Sequence, residues 1–487
     1  MNDKNISRRD VMAASAGAAL LPLAATCTAS AQAQAPQPSQ AAPQGPPRPG
    51  APGAPGAPGP GMIPPGFRPL QGEFFYPSDG SNKPLGVGRG IHPGRVSWVH
   101  NPEVATWDGK TGEWWDDANT NGPLVERMVS KSLQNLSGGK NDKEAWDALF
   151  RYFNKTRNGA DAGYKPGEKI TIKFNSNYDH KKDNWLAATK KGMCSPHVIN
   201  ALVRQLVNVA GVPGKDITIY DVADGRYIGD PIYNRIRANG DAFRDITFMC
   251  NTKMAGEGRI APIPDSTDPL HFSNPEIAKT LHPILRVPTL VVEAKYRINL
   301  ANWRAHEVAG VTLTTKNNFG SIYWEHLDYW GPRPFHAGWI QKTRPMGSYS
   351  VFTDIMAHNQ LGRKNMLYMI DGLYTAEHSE MDVVRFVSFG DHWTSSILMS
   401  QDPVAMDSVG LDFLRSEPRQ PQVRGNPDNY LHEAALIEKP PSGTVYMPSG
   451  ERLSSLGVHE HWNNPSEKKY SRNLGKNEGI ELVALKA

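Results

Sequence analysis

From Lys165 onward, apolar and polar residues alternate in short runs separated by stretches of helical period. Glu168–Asn175 (EKITIKFN) has the period-two pattern of a half-buried strand. Ser195-Pro196 then offers an N-cap with proline at the first helical position. Ile199, Leu202, Val203, Leu206 and Ala210 follow at helical spacing, and Gly211 closes that helix. Asp216–Asp221 predicts a second strand, Tyr233–Ala238 a short helix and Ile246–Cys250 a third strand. Thr289–Ala294 is strongly apolar and predicts another strand, as does Gly310–Thr315. Met366–Ile370 runs into Asp371-Gly372, and Ser396–Met399 leads to Asp402-Pro403. That pair is a second N-cap with proline behind it; Met406, Val409 and Phe413 mark the helix. Asp407 is expected in its first turn, where a negative charge complements the helix dipole.

Apolar strands alternating with helices predict an α/β fold: a layered parallel or mixed sheet with helices on both faces. Thr252–Arg286 and Ser321–Ser350 have weak periodicity and read as long loop insertions, a type of segment that is often functional. Residues 418–487 are expected to wrap the domain.

Composition changes the picture at the N-terminus. Of the 40 prolines in 487 residues, 12 lie between Pro36 and Pro65. Before them come Lys4, Arg8 and Arg9, an uncharged run from Val11 to Ala25, and the small residues Ala31-Gln32-Ala33 of an A-x-A cleavage site. The sequence Ser-Arg-Arg-Asp-Val-Met resembles a twin-arginine export signal, with an ordinary secretory signal as the alternative. The expected organisation is a signal peptide at 1–35, a semi-extended Pro/Gly/Ala-rich linker at 36–66, and a single α/β domain at 67–487. The implied partner is the twin-arginine export machinery, and the implied location is periplasmic or secreted. No other apolar run approaches the length of a membrane span. Cys27 lies within the signal, where Thr26 fits poorly to a lipoprotein box.

A net charge of +4 is nearly balanced for this size and argues against a dedicated nucleic-acid binder. Beyond the signal only Cys194 and Cys250 remain, and no C-x-x-C occurs. They are expected either as one disulfide, as an oxidising compartment allows, or as two buried thiols.

Several motifs in order are familiar. Ile172-Lys173-Phe174-Asn175 at a strand end, with Ser195-Pro196 opening a helix, resembles the start of the bacterial family called domain of unknown function 362. Gly310–Gly320 (GVTLTTKNNFG), Asp371-Gly372 and Asp402–Asp407 (DPVAMD) resemble its later motifs, so that the likeness spans about residues 165–415. Many members of that family carry cysteine-ligated iron–sulfur modules. This chain lacks those cysteines, so the resemblance does not bring an iron–sulfur cluster with it.

In open α/β sheets, ligands bind beyond the carboxyl ends of the strands. Lys173, Asn175, Asp221, Asp371, Lys316 and Asn317 are all placed there by the predicted elements. Lys–Asn pairs suit an anionic or carbonyl-bearing ligand, because lysine brings charge and asparagine both donates and accepts. Lys173, Asn175, Lys316, Asn317 and Asp221 are therefore the ligand-binding candidates, and Asp371 and His306 the acid/base candidates. Taken singly, each has a plain structural reading as an exposed strand residue, turn former or cap. His459-Glu460-His461 places two imidazoles on one face of a strand and is the candidate site for a divalent metal. Aromatic residues crowd between Tyr323 and Trp339, either to stack on a ring-shaped ligand or to anchor their loop. Neither a G-x-S-x-G elbow nor a phosphate loop occurs. The expectation is an exported enzyme acting on a polar or anionic, carbohydrate-like substrate at a strand-end pocket. The alternative is a non-catalytic ligand-binding or redox accessory protein.

Overall fold

A computed structural model describes residues 80–487 apart from 177–189, 224–225, 268, 276–284, 307–308, 325–344, 378–380, 421–422 and 424. The signal, the linker and most of the aromatic cluster lie outside the described residues.

Among the described residues, nine strands form one sheet: β1 (Arg95–His100), β2 (Ile170–Phe174), β3 (Ile217–Asp221), β4 (Thr247–Cys250), β5 (Arg259–Ile260), β6 (Tyr296–Asn302), β7 (Asn365–Gly372), β8 (Ser396–Ser400) and β9 (Glu481–Lys486). Their order is β9-β1-β8-β7-β6-β2-β3-β4-β5. Only β8 runs against its two neighbours; every other pairing is parallel. This is the mixed sheet of an α/β fold.

The sheet is covered on both faces. Ile170, Ile172 and Phe174 of β2 and Tyr296, Ile298 and Leu300 of β6 pack under α1 (Gly122–Ser137), α2 (Asp142–Asn158), α3 (Pro196–Arg204) and α4 (Asp230–Arg237). Tyr220, Met249, Ala301 and Ile370 face the other way. They meet α5 (Thr289–Glu293), α7 (Val351–Ala357), α8 (Pro403–Arg415) and α9 (Asn429–Ala435), with the short α6 (Thr314–Asn317) over the sheet centre. Successive side chains point to opposite faces. Thr171 and Lys173 of β2, and Arg297 and Asn299 of β6, therefore enter this second layer as buried polar groups.

The caps follow the predicted chemistry. Ser195 accepts from the backbone N–H of His197 at the start of α3, and Asp402 accepts from that of Ala405 at the start of α8. After Arg204 the helix loosens into a π turn, Gln205–Val209, and Gly211 turns out of it at φ +72°.

Three expectations are corrected. Thr289–Ala294 is not a strand: Pro288 starts a helical turn whose carbonyl accepts from Val291 and Val292, giving α5. The strand is the next segment, Tyr296–Asn302, with Arg297 and Asn299 on its inner side. Gly310–Thr315 splits, because strand pairing, with Arg304–His306, covers Gly310–Thr312 and α6 begins at Thr314. Asp407 lies a turn beyond the start of α8 and serves another helix: its carboxylate accepts from the backbone N–H groups of Thr314 and Thr315, capping α6. The 418–487 segment wraps and also supplies β9, the strand beside β1.

Cys194 and Cys250 are both buried and free, which selects the two-thiol reading. Among the described residues, no helix is long and apolar enough to cross a membrane.

Candidate functional site

The order of the strands reverses between β2 and β6. From β2 the chain builds outward through β3, β4 and β5, then returns to lay β6 on the other side of β2. At such a switch point the connections leave on opposite sides, and a crevice opens beyond the strand ends.

Lys173, near the end of β2, is fully buried and pairs with Asp221 at the end of β3, Nζ to Oδ2 at 3.3 Å. Its ammonium also donates to Asn317 Oδ1 at 2.8 Å and to the carbonyl of Phe174. Burial lowers its pKa to about 8, Asp221 opposing the shift and Arg297 adding to it. Asp221 is held in turn by the backbone N–H of Ser176 at 3.0 Å. Gly320 passes so close that a Cβ there would stand 2.2 Å from Asp221 Oδ1 and 2.6 Å from Lys173 Nζ.

Asn317 is committed inward. Its Nδ2 donates to Asn299 Oδ1 at 2.8 Å and to the Leu300 carbonyl at 3.0 Å, while its Oδ1 accepts from Lys173. The network continues below through Arg297, which donates to Tyr220, Asn318 and Ser321. Asn175 Oδ1 accepts from the backbone N–H of Asn302 at 2.8 Å and so ties β2 to β6 across the switch point.

Lys316, on α6, is partly buried with its ammonium 4.6 Å from the centre of the Phe319 ring. Burial, and then the positive charges of Arg226, Arg304 and Lys173, lower its pKa to about 7, with Asp221 the opposing carboxylate. Arg304, buried, donates to the carbonyl of Gly192 at 3.1 Å. Lys316 thus lies within electrostatic reach of three other cationic side chains and of the Asp221 carboxylate. Sequence reasoning found the two lysines and missed Arg226 and Arg304, which no short motif marks. It also missed Asn302: this buried side chain lies at the end of β6, and neither its amide nitrogen nor its oxygen has a hydrogen-bond partner.

Asp371 ends β7 one strand further along. Burial raises its pKa to about 6, against the backbone N–H groups of Ser195 and Leu373, which donate to it. It therefore holds the amino end of α3. Cys194, beside it, is pushed up by burial and by Asp371, with Lys173 and Arg304 pulling the other way. That shared influence puts Asp371, Cys194, Lys173 and Arg304 in one electrostatic neighbourhood. His306 sits in the hairpin above, where Nδ1 accepts from the backbone N–H of Ala309 at 3.2 Å.

His459 and His461 lie elsewhere, against α8. Together with Asp428 they form a buried group whose ligand atoms all fall within 4.8 Å of one another, and this group could hold a metal ion.

Residues 170–412, from the start of β2 into α8, match the family described as Domain of unknown function (DUF362), which bears out the resemblance read from the motifs. No curated protein matches the chain.

Proposed function

We propose that the crevice at the β2–β6 switch point binds a small anionic ligand, through Lys316 and Arg304 with Arg226 at its side and Lys173 beneath. The observation that carries this reading is the gathering of Lys173, Arg226 and Arg304 within electrostatic reach of Lys316, with Lys173 paired to Asp221, at the sheet's topological switch point. Like charges brought together out of water repel, and a bound anion relieves that repulsion while gaining charge-assisted hydrogen bonds. The orphaned amide of Asn302 offers a donor nitrogen and an acceptor oxygen to fix the ligand's orientation.

Acid–base chemistry belongs to the same proposal. Lys316 and Asp371, with pKa values of about 7 and about 6, are poised to exchange protons near neutrality. Lys173 and Asn317 hold the floor of the site, since their polar atoms are engaged with each other and with the backbone. The chain is proposed to work after export, on the strength of Arg8-Arg9 and the apolar run behind them.

The test is a thermal-shift screen of the purified protein against small phosphate esters, dicarboxylates and sugar acids. At least one class should raise Tm in a saturable way, and Lys316→Met should abolish that rise while keeping a cooperative transition. A screen in which no anion shifts Tm, or in which Lys316→Met responds like the parent, overturns the reading.

A further inference from the structure

The cluster formed by Asp428, His459 and His461 is separate from the strand-end crevice and is built differently. All three side chains are buried to 1% exposure or less. His459 Nδ1 lies 2.8 Å from Ser408 Oγ, and His461 Nδ1 lies 2.7 Å from Asp412 Oδ1; both partners come from the inner face of α8. Asp412 is itself fixed by the backbone N–H of Trp462 at 3.0 Å and the hydroxyl of Tyr470 at 2.9 Å. A histidine anchored through one ring nitrogen presents the other in a set direction, and a carboxylate in that anchoring role makes the imidazole a better ligand. Here His461 Nε2 is turned to within 3.5 Å of Asp428 Oδ1, and the His459 and His461 rings sit 4.8 Å apart, edge to face.

Two distances decide between readings. A protonated imidazole on a carboxylate draws in to about 2.7–2.9 Å. Two ligands of one tetrahedral ion with bonds of about 2.0–2.1 Å stand about 3.3–3.4 Å apart. The 3.5 Å separation of His461 Nε2 and Asp428 Oδ1 is longer than the first and near the second, and the three ligand atoms, all within 4.8 Å of one another, would draw in around an ion. Asp412 and Asp428 are buried carboxylates, and Arg415 donates to both oxygens of Asp428. Each oxygen of Asp428 has two lone pairs, so the bond to Arg415 orients the carboxylate without exhausting it.

We propose that Asp428, His459 and His461 bind one divalent ion of the zinc class. Two imidazoles and a carboxylate suit zinc, cobalt or nickel better than calcium or magnesium, which take oxygen ligands. The ion's place gives it a structural role. Asp428 begins α9, His459 and His461 belong to the segment paired with Leu85–Gly86, and Ser408 and Asp412 lie on α8, so that one ion would fasten the C-terminal wrap to the family-like body.

The experiment uses the purified protein prepared without chelator. Elemental analysis should find about one zinc-class ion per chain. Dialysis against a chelator should lower Tm, and Zn²⁺ alone should restore it. Co²⁺ in its place should give the visible absorption of a tetrahedral cobalt centre. His461→Gln, which keeps volume and a polar tip, should lose the ion and the response to Zn²⁺; should it fail to fold, the chelator and cobalt results on the parent decide. A metal-free parent whose Tm ignores both Zn²⁺ and Co²⁺ overturns the proposal, as does a stoichiometric ion that a folded His461→Gln retains.

Discussion

Gly320→Ala isolates the part of the strand-end cluster that geometry defines best. The added methyl would lie 2.2 Å from Asp221 Oδ1, 2.5 Å from Lys173 Cε and 2.6 Å from Lys173 Nζ, whereas ordinary contact begins at 3.4 Å. The carboxylate would have to retreat by about 1.2 Å, the difference between the 3.4 and 2.2 Å contacts, or the ammonium give way. Asp221 is restrained by the backbone of Ser176, and Lys173 by Asn317 and the Phe174 carbonyl, so neither is a loose side-chain tip. Overpacking alone costs about 1–3 kcal/mol, and full separation of a buried ion pair about 3–5 kcal/mol. A loss near 3 kcal/mol is expected. Urea unfolding should show it as a lower midpoint at unchanged slope. Combining the change with Asp221→Ser, which withdraws one of the clashing groups, should cost at least about 1 kcal/mol less than the two single losses together. A Gly320→Ala protein within about 0.5 kcal/mol of the parent, or strict additivity in the double variant, would refute the reasoning.

The remaining predictions are simpler. Lys316 has its folded pKa depressed to about 7, so it carries its proton below that pH and loses it above. Anion affinity that needs this proton should be level below pH 6 and fall by up to about tenfold per unit above pH 7, as titration calorimetry across pH 5.5–8.5 would record. A flat profile would remove Lys316 from the site. Asp402 accepts from the backbone N–H groups of Arg89 and Val458 as well as Ala405, and it is fully buried. Asp402→Ala should therefore cost more than a surface cap, about 3 kcal/mol or more in denaturant unfolding; a loss under about 1 kcal/mol would contradict it. In a Cys27→Ser chain, Cys194 and Cys250 should give two titratable thiols after denaturation without reductant and almost none in the native state. Zero thiols after denaturation would mean a disulfide.

How far the sequence could be read depended on what each residue's neighbours hid. β2 reads as an alternating, half-buried strand, yet all five of its residues are buried, because the second layer covers the side that carries Thr171 and Lys173. β3, β4, β7 and β8 announced themselves as apolar runs, because strands covered on both faces are apolar nearly throughout. β6 did not. Its Arg297 and Asn299 look like surface residues in a linear sequence, and only the second layer of Tyr220, Asn318 and Ser321 makes them interior ones. Strand-end placement drew attention to Lys173, Asp221 and Lys316 before their proximity was visible. Arg304 and Arg226 arrive by a hairpin and a loop, whose course no local pattern predicts. The H-x-H of 459–461 was legible as a pair, but Asp428 and Asp412 are separated from it in sequence and meet it only through the packing of α8 and α9.

The reversed strand β8 has a consequence for the order in which the molecule assembles. It separates β1 from β7, and its register sets Val96 opposite Ser400, 304 positions along the chain (400 minus 96). Closing a loop of that length costs little more than closing one half as long, since each doubling adds about 0.6 kcal/mol. The larger effect is on rate, because non-local pairings form slowly. During synthesis β2 meets β3, and β3 meets β4, within about one helix–turn unit each, while β1 has no partner in this sheet until the chain has reached Ser400. The apolar residues of β1, Val96 on one face and Val99 on the other, are therefore expected to wait exposed, a period in which the strand can pair wrongly. Pulse-labelled hydrogen exchange should find the β1 amides protected in a later phase than those of β2 and β3; protection in the same phase would show that the long closure does not limit folding.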